Sequence, residues 1–208
     1  MADAIMSEPS DRLAAASHWR RYRVLYAILA VCAAPVLAAY FFYFVAPPSA
    51  RTNYGDLVQP QRPLPALALR ALDGTAVDSA ALRGGWVMVM ADSGLCDEPC
   101  QRKLWNMRQV RLATGKERER VQRVFLILDR EPPSTLLLHE YEGTRFLFAE
   151  PDQVASFLAL PSGGAARLHD HVWLIDPLGN LMLRWPPAAD PSRMKKDLEK
   201  LLRVSRIG

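Results

Sequence analysis

The sequence predicts a mixed α/β domain carried on a single membrane-spanning helix. Three observations point that way. Residues 24–46 are an unbroken run of 23 residues without a charge. Further on, apolar runs of strand length alternate with stretches of helical periodicity. The chain then closes with a strand, a Pro–Gly turn, a second strand and an amphipathic helix. Composition narrows the classes. With half its 208 residues apolar, the chain can bury enough surface to offset chain entropy, which excludes disorder throughout. Three cysteines cannot make a disulfide framework, and a net charge of +4 gives no footing for nucleic-acid binding.

About 20 apolar residues cross the hydrocarbon core as a helix, so residues 24–46 suffice. The run ends in Tyr40, Phe41, Phe42, Tyr43 and Phe44, rings suited to the water–lipid boundary, and carries Pro35 in its middle. A cleaved signal peptide has a shorter apolar core, about 7–15 residues, with a small-residue cleavage site after it. The run is therefore read as an uncleaved signal anchor. Arg12, Arg20, Arg21 and Arg23 precede it, which keeps residues 1–23 in the cytoplasm and sends the rest across. In a bacterium the main domain then lies in the periplasm, held at the inner membrane. Residues 47–65 are proline-rich without periodicity and read as an extended tether; residues 66–208 form the domain.

Within it, residues 67–72 alternate, Asp73-Gly74 makes a turn and Ala76-Val77 begins a return strand. Residues 86–91 are a continuous apolar run, a strand buried on both faces. A helix follows over residues 99–114, with Leu104, Met107 and Arg111 on one stripe, and Gly115 stops it. Residues 121–128 give a second buried strand. Residues 134–141 and 151–160 suit helices, and Gly163-Gly164 a flexible connection. Residues 171–176 form a third strand, turned by Asp176-Pro177-Leu178-Gly179 into a partner over residues 181–185, and residues 192–204 form the last helix, capped by Ser192. Two β-α-β crossings followed by a hairpin and a helix give the thioredoxin-like order.

The exported part holds two cysteines, Cys96 and Cys100, just after the first buried strand and at the start of a helix. Their spacing puts both sulfurs on one side of the first helical turn. The helix N-terminus favours thiolate over thiol, and the carboxyl end of a strand in an α/β sheet is where ligands bind. As a purely structural staple the pair is poor: closing so short a loop contributes about 2 kcal/mol. Cys32 lies inside the apolar span and needs no special role. Two thiolates plus an imidazole suit copper, because soft thiolate selects Cu(I) and imidazole accepts either oxidation state. His18 is on the cytoplasmic side and His139 lies in a helix, which leaves His169 and His171. His171 immediately precedes a buried strand and is the favoured ligand, with Asp170 either orienting its ring or facing water.

Several separated pieces together resemble the Sco/SenC family of copper-binding assembly proteins of cytochrome c oxidase: L-A-L-R-A-L-D-G-T-A-V, L-R-G-G-W-V-M-V-M, the C-x-x-x-C pair, R-V-F-L-I-L-D and D-H-V-W-L-I-D-P-L-G-N-L. The resemblance covers roughly residues 54–202. It implies a thioredoxin-like fold, one copper held by Cys96, Cys100 and His171, and a part in metallating the dinuclear copper site of oxidase subunit II, with another copper carrier as donor. Asp97 and Gln101 stand where the family has proline after each cysteine, and Asp129-Arg130-Glu131-Pro132-Pro133 replaces its D-P-E-R-D, which marks a divergent branch. Two other roles fit the same residues. A thiol-disulfide reductase would use Cys96 and Cys100 as its redox pair without needing His171. A docking module of the oxidase complex would need neither. Met88 and Met90 read as core, and residues 116–120 as a solvated turn.

Overall fold

The computed structural model describes residues 10–45, 53–158, 167–205 and 207, with only the backbone given for residues 10–21. The chain divides into two units, Met1–Arg51 and Thr52–Gly208. The first holds α1, Ser10–Phe44, which runs through Pro35. Its stretch Tyr22–Phe44 is 23 residues long with a hydropathy of 2.2, long and apolar enough to cross a membrane. Its large side chains from Tyr22 to Phe44 are exposed.

The second unit is a mixed sheet with helices on both faces. Its strands are β1 (Asp56–Pro63), β2 (Leu69–Ala71), β3 (Ala76–Val77), β4 (Trp86–Asp92), β5 (Val121–Ile127), β6 (Thr144–Ala149), β7 (Val172–Ile175) and β8 (Asn180–Trp185). They lie in the order β1-β8-β7-β4-β5-β6-β2-β3. β4, β5 and β6 are parallel to one another and every other pairing is antiparallel. The helices are α2 (Glu98–Ala113), α3 (Thr135–Glu140), α4 (Pro151–Phe157) and α5 (Pro191–Val204). The expected thioredoxin-like order is present: β4-α2-β5 and β5-α3-β6 are the two crossings, and the β7–β8 hairpin and α5 complete it.

Alternation along the strands makes two cores. Met88, Met90, Phe125, Ile127, Val172 and Leu174 pack under α2, α3 and α5. Val87, Val89, Val124, Leu126, Trp173 and Ile175 face the other way, toward α4. Met88 and Met90 are core, as their position in a buried strand required.

Four expectations need correction. The proline-rich tether is shorter than its composition suggested, because β1 occupies its second half as an edge strand on β8. An edge strand tolerates Pro60 and Pro63, since proline lacks only a donor that a neighbour would otherwise need. β6 falls where no strand was expected and closes the second crossing. The last helix is capped by Asp190, whose carboxylate accepts from the Ser192 N–H, and Ser192 itself lies inside the helix. On α2 the buried stripe is Cys100, Leu104, Met107 and Val110, while Arg111 stands at its edge. The helix expected over residues 151–160 ends at Phe157; residues 159–160, the Gly163-Gly164 connection and residues 47–52 of the tether lie outside the described residues.

Candidate functional site

Cys96 and Cys100 are joined in a disulfide with their Cα atoms 5.1 Å apart. The pair sits where β4 runs out and α2 begins. Asp97 caps α2 by accepting from the Cys100 N–H at 3.1 Å, and Pro99 occupies its first turn. Cys96 has φ +42, a left-handed conformation held by its own N–H on the Ser93 carbonyl at 3.2 Å and by the Gln101 side-chain amide on its carbonyl at 3.0 Å. Both cysteines are almost wholly buried against the core under α2. Gly94 lets the loop touch its neighbour: a Cβ there would stand 1.7 Å from the Glu131 carbonyl oxygen.

Beside this loop lies a cleft of ≈ 660 Å³ bordered by Asp92, Asp97, Pro99, Lys103, Asp129 and His169. Lys103, one turn along α2 from Cys100, pairs with Asp92 at 2.7 Å and also donates to the His169 carbonyl. It thereby ties the end of β4 to the turn that leads into β7. Burial pushes the Asp129 carboxyl up, but the Gly94 N–H, the Ser93 hydroxyl and the Glu131 N–H outweigh it and hold it below the usual range. Neither Lys103 nor Asp92 stands out in the sequence, and Asp129 only as part of the segment that departs from the Sco pattern. Both W-V-M-V-M-A-D and R-V-F-L-I-L-D follow a buried apolar run with Asp, Asp92 at the end of β4 and Asp129 two residues past β5, at the carboxyl edge where α/β sheets place their sites.

His171 takes a different position. Its ring packs on Trp173, centroids 5.6 Å apart, and Trp173 belongs to the face of the sheet away from the disulfide. Its Nδ1 lies 2.8 Å from the Trp185 carbonyl, which makes Nδ1 the protonated nitrogen and leaves Nε2 with a lone pair. That Nε2 is buried without a partner. Burial, aided by the Arg184 charge, lowers the imidazole pKa against the pull of the Trp185 carbonyl, Asp170 and Asp56. The Asp170 carboxylate turns back to the Arg167 N–H at 2.8 Å and lies 3.8 Å from His169 Nε2. The His171 ring is therefore oriented by a backbone carbonyl. The structure joins the two cysteines but does not gather His171 into a common group with them. Among the described residues, no three His, Cys, Asp or Glu side chains stand close enough to hold a metal ion.

Fold and site define a thioredoxin-like domain with a paired-cysteine loop at the N-terminus of its first domain helix. The family of the transmembrane-like, thioredoxin-like, C-terminal domain matches residues 86–205, and this chain belongs to it. No protein of curated function matches the sequence. Three solved structures show the same fold. ScoI of Bradyrhizobium japonicum with copper bound is 21% identical, with a TM-score of 0.50, covering 67% of this chain and 98% of that one. Yeast Sco1 with copper bound is 17% identical, with a TM-score of 0.52, covering 70% and 91%. BsSco, a member of the Sco family of cytochrome c oxidase assembly proteins in which a disulfide switch was identified, is 13% identical, with a TM-score of 0.52, covering 72% and 99%. The expected resemblance to Sco proteins thus holds in fold.

Proposed function

We propose that this chain is a membrane-anchored copper-handling protein that helps assemble cytochrome c oxidase. The carrying observation is the pairing of Cys96 with Cys100 at the start of α2, beside an open cleft. Copper is cargo here, and a dithiol reductant must first open the disulfide, supplying two electrons and two protons as it is itself oxidised to a disulfide, before the sulfurs can ligate the ion. The reduced thiols lie at a helix N-terminus, whose partial positive charge favours the thiolates that soft Cu(I) selects. His171 is the proposed third ligand, carried over from the Sco resemblance: the Trp185 carbonyl already fixes its tautomer and its Nε2 has no other partner, but to join the sulfurs the ring must leave its place against Trp173. Another carrier would load the site, and a subunit of the oxidase, subunit II in the Sco pattern, would receive the ion at the periplasmic side of the inner membrane.

A second reading is favoured by the closed disulfide: a thiol-disulfide reductase for partner cysteines. One thiolate attacks the partner disulfide to form a mixed disulfide, and the other displaces the partner thiolate, so the partner gains two electrons as Cys96–Cys100 re-forms.

One experiment addresses both. The full chain in detergent is reduced without oxygen, mixed with Cu(I), desalted and assayed for bound copper. Wild type is expected to retain about one equivalent, and Cys96→Ser to lose it. Wild type holding no more copper than Cys96→Ser overturns the copper reading. His171→Ala that loses copper yet still reduces a disulfide substrate separates the two activities, and His169→Ala tests the neighbouring imidazole the same way.

A further inference from the structure

At the far end of α2 from the disulfide, a second cleft of ≈ 620 Å³ opens between α2, the start of β5 and α3. Its borders carry Arg108 and Arg111 on α2 and Arg123 on β5. Arg123 is only 4% exposed, at a strand position that points to the α2 side of the sheet. One of its amino groups donates to the Glu142 carbonyl at 2.7 Å, but Nε and Nη1 are buried with no partner. Beside it on β6, in register with Arg123, the Thr144 hydroxyl is also buried without a partner. Gly143 leaves the space, since a Cβ there would stand 3.3 Å from Arg123 Nη2.

Charge agrees with geometry. Arg108 donates to the Glu140 carbonyl at 3.2 Å and Arg111 to the Val121 carbonyl at 2.7 Å, both neutral acceptors. The nearest carboxylate to Arg111 belongs to the exposed Glu119 at 3.6 Å. Glu140 and Glu142 border the cleft, but among the described residues neither carboxylate pairs with these arginines. Burial and the charges of Arg111 and Arg108 pull the Arg123 pKa down to about 10. A buried guanidinium missing two acceptors costs free energy that an incoming group with several acceptor oxygens would recover.

We propose that this cleft binds a small oxyanion, phosphoryl or carboxylate, through Arg108, Arg111 and Arg123. The planar, forked guanidinium matches that ligand class better than a point charge would. The site is separate from the cysteine loop and does not depend on the copper reading.

Titration calorimetry on the full chain in detergent, at ionic strength fixed with chloride, tests it with inorganic phosphate in one arm and succinate in the other. At least one anion is expected to bind, and Arg108→Gln and Arg111→Gln should each weaken binding about tenfold. Arg123→Met should abolish it; if that variant fails to fold, the two rim variants decide. A phosphate-only response assigns a phosphoryl ligand and a succinate-only response a carboxylate. No binding of either anion by wild type, or binding unchanged in both rim variants, overturns the proposal.

Discussion

His171 couples burial to pH in a way that can be measured without any metal. Its folded pKa lies below the ordinary imidazole value, chiefly because the ring is buried. The unfolded chain therefore binds a proton near pH 6.5 that the folded chain refuses until lower pH. Stability from this residue is complete above about pH 6.5 and is lost as pH falls from there toward the folded value. Urea midpoints from pH 7.5 to 5 should decline in wild type and be flatter in His171→Asn; parallel curves would show that the ring is not held neutral. The sequence shows that His171 precedes a strand but not what holds its ring, because the Trp185 carbonyl reaches Nδ1 from β8, across the hairpin. Arg120 is a similar case. In the sequence it belongs to a solvated mixed-charge run. In the structure it donates to the carbonyls of Leu202, Ser205 and Ile207, holding the end of α5.

Element-scale features were legible where pattern and environment agree. β4 reads as W-V-M-V-M-A, and each of those side chains is buried, because β5 and β7 flank it and helices cover both faces. β6 escaped notice since T-R-F-L-F-A buries only Phe146 and Leu147, too few to show a period. β1 escaped because its prolines imitate a linker. The loop joining β4 to α2 carries the clearest mutational consequence. It lies against the segment after β5 through the Gly94 N–H on the Asp129 carboxylate at 3.0 Å. Gly94→Ala would drive a methyl into the Glu131 carbonyl, so the loop must lift off. The expected loss is about 1–3 kcal/mol, the usual cost of overpacking, together with faster reduction of Cys96–Cys100 by dithiothreitol. An Ala variant with wild-type urea midpoint and reduction rate would mean the two loops are not in contact.

Over the whole domain, strands distant in sequence must be held at the sheet edge that carries the entering chain. Asp197 on α5 does this. It is 3% exposed, and its carboxylate accepts from the Tyr54 N–H at 3.0 Å, the Gly55 N–H at 2.8 Å and the Trp185 indole N–H at 3.2 Å. Arg193 stacks over the Tyr54 ring at 3.9 Å, and the Tyr54 hydroxyl accepts from the Asp190 N–H at 3.2 Å. One carboxylate thus joins the chain just before β1, the end of β8 and the last helix. Asp197→Ala strands three donors, each costing about 1–3 kcal/mol when left buried and unpaired. A loss of about 3 kcal/mol or more follows, a fall in Tm of roughly 6–12 °C for a domain of this size. Asp197→Asn, which keeps one acceptor oxygen, should lose less. Hydrogen exchange should show β1 opening first, since as an edge strand it pairs only with β8. If Asp197→Ala melts with wild type and β1 keeps its protection, the edge is held by the β1–β8 ladder alone, and the carboxylate is a passenger in the fold.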